Sequence, residues 1–307
     1  MLSRFKDSAA SSLSDRIRVN EFQRRGLWGF VFALPALILF TLFAFIPILR
    51  TFRLSFFQYD LLTEPKYVGL YNFERLIEAS TFYHSLVATF QYLVVTYVAV
   101  WLLALFLALA LNSPLIRGTT QFRTIFFIPV VMSWVVVSVV WKLMFHQSGL
   151  VNTAVLQPLG FEPINWLTSR AAAPYAVIIT SVWKELGFFM VIFLAGLQNI
   201  PQTYYDAAKV DGATYWEELW YITLPLLRPT ILFSTVMGLI RGLRVLIPQL
   251  VMTGGGPVDA TLVMALNIYQ TAFVFLKMGR ASAMAIVLFL IIGALSLVQF
   301  RLNRGRG

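Results

Sequence analysis

The sequence contains no cysteine and only two histidines, His84 and His146, among its 307 residues. A chain without cysteine has no disulfide, no thiolate metal site and no cysteine nucleophile. The two histidines lie in separate segments, so we interpret them as interfacial polar residues rather than as a metal pair. The metalloprotease and serine-hydrolase motifs H-E-x-x-H and G-x-S-x-G are also absent, and the sequence therefore predicts neither a metal site nor an enzyme.

Charge is scarce as well. Charged residues make up 12% of the chain and hydrophobic residues 59%, a balance that water-soluble domains do not tolerate because their surfaces need charge. The solvent is therefore expected to be lipid. The formal net charge of +10 is carried by short segments between apolar stretches, where basic residues set membrane orientation, so we do not expect nucleic-acid binding.

Apolar runs long enough to cross a bilayer predict an all-α integral membrane protein of about six transmembrane helices. The runs cover residues 27–49, 85–111, 124–145, 174–197, about 226–252, and 281–300. No small-residue cleavage site follows the first run, so we interpret it as an uncleaved span. The prediction is one transmembrane domain, 27–300, flanked by tails 1–26 and 301–307. Both tails are expected to be cytoplasmic, because that topology leaves more Lys and Arg inside.

The segment 198–225, between the fourth and fifth runs, reads QNIPQTYYDAAKVDGATYWEELWYITLP. Pro201 suits a first helical turn, and Asp211-Gly212 predicts a turn because glycine permits positive φ. Thr214 and Glu217 have the spacing of a capping box that starts a second helix. Two short helices joined by a turn are therefore predicted on the cytoplasmic side. The aromatic face of this hairpin either binds a partner protein or packs back onto the chain's own helix ends.

This segment resembles the EAA loop of ATP-binding-cassette importer permeases. The shared pattern is Asp206-Ala207-Ala208, three residues, Gly212, nine residues, Ile222, one residue and Leu224-Pro225. The family usually has Glu at the position of Asp206. In that family the loop forms a coupling helix seated in a cleft of the ATPase. The resemblance therefore implies ATPase-coupling roles for Asp206, Ala207, Ala208, Asp211, Gly212, Trp216, Ile222, Leu224 and Pro225.

The resemblance extends over almost everything after the first tail and is closest to the maltose-type, carbohydrate-uptake branch. Matching stretches are residues 68–73, 117–129, 183–184, 195–197, 253–257 and 279–283. One stretch departs from the family: residues 244–249 read RVLIPQ, where the family tends to carry an acidic and aromatic pair. That stretch borders the transport path in the family.

The resemblance implies a permease subunit that takes a sugar or oligosaccharide from an external binding protein across the plasma (inner) membrane of a prokaryote by alternating access. No G-x-x-x-x-G-K-[ST] loop occurs in the chain. ATP and Mg are therefore expected on a separate dimer of ATP-binding subunits, with no cofactor in this chain. The family also implies a sister permease, commonly a different chain.

Ionisable residues within spans are costly and are therefore candidate functional sites. Lys184 and Glu185 either line the substrate path or form a structural ion pair with another helix. Arg241 and Arg244 are three residues apart on one helical face, where they would attract an anionic solute; alternatively, Arg244 snorkels towards headgroups. The substrate-path candidates are Trp183, Lys184, Glu185, Arg241, Arg244, Gln249, Asn267 and Tyr269.

Two alternative functions stay open. The same machinery would import glycerol phosphate or a related polyol phosphate if the two arginines bind the solute. A proton-coupled secondary transporter is less favoured, because Glu185 is the only acid well inside a predicted span and it stands next to Lys184. Sensitivity of uptake to ATP depletion or to proton uncouplers separates these classes.

Overall fold

The computed structural model describes residues 28–113 and 116–304, without the side chains of residues 300 and 302–304. The predicted tail 1–26 lies outside the described residues. Of the predicted tail 301–307, residues 301–304 continue the last helix and the others lie outside the described part. The chain divides into two units after Leu54.

The described part of the first unit is one helix, α1, Trp28–Leu54. It contains a π-helical turn at Thr41–Phe45, and the Thr51 hydroxyl donates a hydrogen bond to the Pro47 carbonyl at 2.9 Å. At about 1.5 Å per residue, 27 residues are long enough for a hydrocarbon core of about 30 Å. The first predicted span is therefore present as a helix.

The second unit opens with a two-stranded antiparallel sheet, β1 Phe57–Gln58 and β2 Lys66–Tyr67. Its α-helices are α2 Tyr71–Glu78, α3 Ser80–Asn112, α4 Thr119–Val131, α5 Trp134–Met144, α6 Ala173–Gln198, α7 Gln202–Val210, α8 Tyr215–Glu217, α9 Leu224–Leu243, α10 Ile247–Met252, α11 Met264–Tyr269 and α12 Met278–Arg304. Tighter or wider helical turns occur at Val151–Leu156, Gln157–Leu159, Glu218–Thr223 and Gln270–Val274.

Within the described residues, five helical runs are long and apolar enough to cross a membrane, and six if the bent pair α4 and α5 counts as one span. The predicted all-helical membrane fold is confirmed. The third predicted span, 124–145, is wrong as a single helix, because α4 and α5 meet at 99°. Pro129 lacks the N–H that would continue the α4 ladder, and the Ser133 hydroxyl caps α5 by accepting a hydrogen bond from the Val135 amide at 3.3 Å.

The fifth predicted span, 226–252, is also interrupted. Helix α9 ends at Leu243 and α10 begins at Ile247, so residues 244–246 are non-helical. Pro248 lies in the first turn of α10, where a missing N–H costs nothing. Two of the predicted spans therefore contain breaks.

The core of the second unit forms where α3 packs on α6. Buried small residues on α3, including Ala104 and Ala108, contact the cluster that contains Phe189 and Phe193 of α6. Helix α4 approaches the other side of α6 at Gly187, where an added methyl group would overlap the Phe126 carbonyl oxygen. Small residues permit such close contacts between helices in a membrane, where apolar side chains gain little by leaving lipid. This contact lies near the break between α4 and α5.

Candidate functional site

The helix, turn and helix predicted for residues 198–225 are present. Helix α7 begins after Pro201, which is its N-cap, and ends at Val210. Gly212 has φ of +78°, the conformation that the turn required. Glu217 Oε2 accepts hydrogen bonds from the Thr214 amide and hydroxyl, both at 2.7 Å, which completes the predicted capping box. The second helix is not short: α8 continues through the π-turn into α9 and enters the next span.

Part of the hairpin is packed against its own chain. The Tyr205 hydroxyl lies 3.0 Å from Thr223 Oγ1, and Ala208 is 8% exposed. Asp206, Ala207 and Asp211 are exposed. Five aromatic residues of the hairpin are each more than half exposed, and we refer to them together as the aromatic face: Tyr204, Tyr215, Trp216, Trp220 and Tyr221. Ala208 therefore faces its own chain rather than the surface.

The two breaks lie against a common cavity of about 720 Å³. One wall is formed by Met132 and Ser133 between α4 and α5, and another by Arg244 to Leu246 between α9 and α10. Lys184 and Glu185, halfway along the 26-residue α6, form a third. Non-helical backbone at membrane depth is tolerated where it lines a cavity or is buried in protein. Interrupted helices around a cavity at this depth are typical of transporter solute sites.

Lys184 forms hydrogen bonds with the backbone at the break between α4 and α5. Its Nζ donates hydrogen bonds to the carbonyls of Pro129 at 3.1 Å, Val130 at 3.2 Å and Met132 at 2.9 Å. These are carbonyls at the C-terminal end of α4, where an ordinary helix leaves its acceptors unpaired. The ammonium also lies 5.0 Å from the centre of the Trp134 ring. The carbonyls at the bend therefore receive their hydrogen bonds from a side chain of another helix.

Glu185 forms an ion pair that joins α6 to α9. Arg241 Nη1 lies 2.5 Å from Glu185 Oε2, with side-chain exposures of 35% and 8% respectively. The guanidinium carbon of Arg241 is 3.9 Å from the centre of the Phe188 ring, a cation–π contact. The structural ion pair with another helix that the sequence left open is present.

Arg244 also lines the cavity. It is the C-cap of α9 and is exposed. Among the described residues it has no hydrogen bond or ion pair. The structure therefore brings four of the eight predicted path residues to one cavity, namely Lys184, Glu185, Arg241 and Arg244.

The other four predicted path residues lie elsewhere. Trp183 is 40% exposed and its ring contacts Trp141 at 5.6 Å between centroids. Gln249 is 1% exposed, its amide has no partner among the described residues, and it lines a separate cavity of about 20 Å³.

Asn267 is buried and donates a hydrogen bond to Ser85 Oγ at 3.1 Å. Tyr269 packs against Phe273, with 5.4 Å between ring centroids. Asn267 therefore serves a contact between helices and Tyr269 an aromatic contact within its own helical segment, and neither lines the large cavity.

The sequence reasoning missed the polar and aromatic residues Tyr92, Tyr97, Ser133 and Trp134 of the cavity wall. The signal for Ser133 and Trp134 was available, because a serine four residues after Pro129 suggests a new helix start. Tyr92 and Tyr97 are buried in the middle of the long apolar α3. Only the packing of α3 against α6 and α9 brings them to the wall.

Residues 101–306 match the protein family described as "Binding-protein-dependent transport system inner membrane component". The chain belongs to this family. The permease is 38% identical over 284 residues to the "Probable ABC transporter permease protein YesP" of Bacillus subtilis (strain 168), with 91% of each chain covered. It is 36% identical to the "Lactose transport system permease protein LacF" of Rhizobium radiobacter, covering 91% of this chain and 94% of that protein.

A solved structure has the same fold as the permease. It is the crystal structure of a bacterial ABC transporter involved in the import of the acidic polysaccharide alginate, which superposes with a TM-score of 0.82 and covers 94% of this chain and 99% of that one. At 24% identity the likeness concerns the fold alone. The resemblance to sugar-type ABC importer permeases that the sequence indicated is confirmed.

Proposed function

We propose that this permease passes a sugar or oligosaccharide from an external binding protein across the inner membrane by alternating access, driven by a separate ATPase. The exposed aromatic face carries the proposal. Trp216 and Trp220 are 66% and 63% exposed, and a hairpin that leaves such side chains uncovered is best explained by a protein partner. The lactose system named for a relative supports a saccharide as the solute.

The partner at the aromatic face is a dimer of ATP-binding subunits that holds ATP and Mg. Moving a two-state transporter from about 1:99 to about 99:1 requires about 5.5 kcal/mol of differential binding. A loosely touching loop does not transmit that much free energy. We therefore infer that the aromatic face is buried in a cleft of the ATPase and that α7 follows the movement of that subunit.

The remaining partners follow from the family. Its description names a binding protein, and we infer that this protein delivers solute on the external side. A sister permease, most simply a different chain, closes the path from the opposite side. In this arrangement both termini are cytoplasmic, on the same side as the hairpin.

The large cavity is the solute path in this proposal. Its walls include Ser133, Trp134 and the non-helical segment 244–246, which supply a hydroxyl, an aromatic ring and irregular backbone. Glycerol phosphate or a related polyol phosphate is the second candidate solute, favoured by the exposed guanidinium of Arg244. Proton coupling is disfavoured, because Glu185 is already paired with Arg241.

The test is uptake by proteoliposomes that contain the permease, its sister, the ATPase and the binding protein. The probes are labelled saccharides, both neutral ones such as lactose and anionic ones. The proposal predicts uptake that requires ATP on the ATPase side, persists with a proton uncoupler and stops when the ATPase subunit is omitted. Uptake that survives ATP depletion and is abolished by the uncoupler would contradict it.

A further inference from the structure

The large cavity contains more positive than negative charge. The ionisable groups in its wall, tyrosines aside, are Lys184, Glu185, Arg241 and Arg244. With three cations and one carboxylate, the formal excess is two positive charges. A charged group at membrane depth is costly and is retained where it is paired or where it serves a function. Each of the three cations is therefore expected to have either a partner or a function.

Two of the cations already have partners within the chain. Arg241 is 2.5 Å from the Glu185 carboxylate and lies over the Phe188 ring. Lys184 donates to three carbonyls of the α4 break, at 2.9 to 3.2 Å. An ammonium has three donors, so this side chain has no donor left for a solute.

Arg244 is different from both. It has no hydrogen bond or ion pair within the described ranges 28–113 and 116–304, is exposed, and lines the cavity. It lies in the non-helical segment between α9 and α10. A guanidinium presents a planar set of donors that matches a carboxylate or phosphate in a bidentate pair. The position is therefore suited to an anion inside the cavity.

The rest of the wall suits a carbohydrate. Trp134 contributes an aromatic ring and the exposed Ser133 a hydroxyl-bearing side chain to the same wall as Arg244, the mixture of apolar surface and few polar groups that binds small solutes.

We infer that the solute of this permease is an anionic carbohydrate, whose carboxylate or phosphate is bound by Arg244. This inference rests on the proposed function, because it takes the cavity as the solute path. It excludes neutral sugars as the main solute. A uronate and a sugar or polyol phosphate share the required chemistry, and they are separated by experiment.

The experiment compares three probe classes in the complete transporter with its binding protein in proteoliposomes. The probes are neutral di- to tetrasaccharides, uronate oligosaccharides of the same lengths, and phosphorylated probes that include glycerol phosphate. Uptake is measured for the native permease, Arg244→Gln, Arg244→Lys and the matched control Arg170→Gln. Arg170 is also an exposed arginine, but it does not line the cavity.

The expected result is ATP-dependent uptake of one anionic class, uronate or phosphate, at rates above those of the neutral probes. Arg244→Gln should raise KM for that class about tenfold or more, the usual loss for a charge-assisted hydrogen bond. The KM of Arg244→Lys should lie between those of the native chain and Arg244→Gln, because lysine keeps the charge but not the planar donors. The KM of Arg170→Gln should match that of the native chain.

Two results would overturn the inference and leave the proposed function intact. The first is ATP-dependent uptake of neutral probes that Arg244→Gln does not change, with no uptake of either anionic class. The second is loss of the sister permease on co-purification of Arg244→Gln, which would make Arg244 a subunit contact. If no class is taken up in an ATP-dependent manner, the proposed function fails as well.

Discussion

The cavity around Lys184 pairs most of its charged groups within the chain, whereas the hairpin at 198–225 leaves large aromatic groups exposed. In the cavity wall, Lys184, Glu185 and Arg241 find partners on other helices of the same chain. In the hairpin, Trp216 and Trp220 stay exposed. The cavity wall is held together from within, whereas in our proposal the hairpin is completed by another protein. Substitutions in the cavity wall should therefore lower the stability of the permease, whereas substitutions in the hairpin should weaken its binding to the ATPase.

The largest effect is expected in the cavity wall, at Glu185→Ala. This change leaves the partly buried Arg241 without its carboxylate, and removal of one partner of a buried ion pair typically lowers the free energy of unfolding by about 3 kcal/mol or more. Thermal unfolding of the purified permease in detergent measures it. The double variant Glu185→Leu with Arg241→Met should recover much of the loss, because no unpaired charge remains. An unchanged unfolding temperature for Glu185→Ala would contradict the claim that this ion pair stabilises the cavity wall.

Lys184→Met should have the next largest effect. It removes the donor for the carbonyls of Pro129, Val130 and Met132, and hydrogen bonds to a charged group contribute about 1.5 to 3 kcal/mol. We expect lower stability and faster proteolysis near the bend at Met132. Lys184→Arg is the control, since it keeps a charged donor at this position. Equal proteolysis of the native chain and Lys184→Met would mean that the ammonium does not hold the bend.

The matching change in the hairpin is Trp216→Ala. It should leave the unfolding temperature of the permease unchanged, because Trp216 is exposed. Its affinity for the ATPase should fall by about 2 kcal/mol, or roughly 30-fold, as for an aromatic residue central to an interface. Tyr205→Phe is the control, because the Tyr205 hydroxyl contacts Thr223 within the chain. A loss of affinity for Tyr205→Phe but none for Trp216→Ala would reverse the assignment of the two faces.

The smallest effect is expected for Gly212→Ala, a minimal change at the turn. Gly212 has φ of +78° and no atom close enough to obstruct a methyl group, so Gly212→Ala should cost only about 1 kcal/mol from backbone strain. Gly212→Pro requires φ near −65° and should rebuild the turn and abolish ATPase binding. Co-purification of the ATPase with both variants measures the difference. Equal retention would show that the turn does not set the orientation of α7.

The hairpin was predictable because its signals are local. Thr214 and Glu217 are three residues apart, and Asp211-Gly212 carries its own turn preference. The bend at Met132 was not predicted, because the Lys184 ammonium that satisfies it comes from 52 to 55 residues further along the chain. The sequence analysis also placed Trp183 and Lys184 together on the substrate path, although adjacent helical positions point in different directions. Trp183 contacts Trp141, whereas Lys184 faces the cavity.

Ala208 shows the same limit within the hairpin. The family pattern gave Ala207 and Ala208 the same role, but only Ala207 is exposed. A charge at position 208 would therefore disturb the packing of the hairpin on its own chain before it reached any partner. Ala207 is the position at which contact with the ATPase is tested cleanly.

The most direct test of the account labels single cysteines in this naturally cysteine-free chain. Ala207→Cys and Ala171→Cys both introduce an exposed thiol, one beyond each end of α6. The account predicts that assembly with the ATPase sharply slows labelling of Ala207→Cys by a polar maleimide and leaves Ala171→Cys unchanged. Equal labelling of Ala207→Cys with and without the bound ATPase would contradict the claim that this hairpin is the ATPase contact.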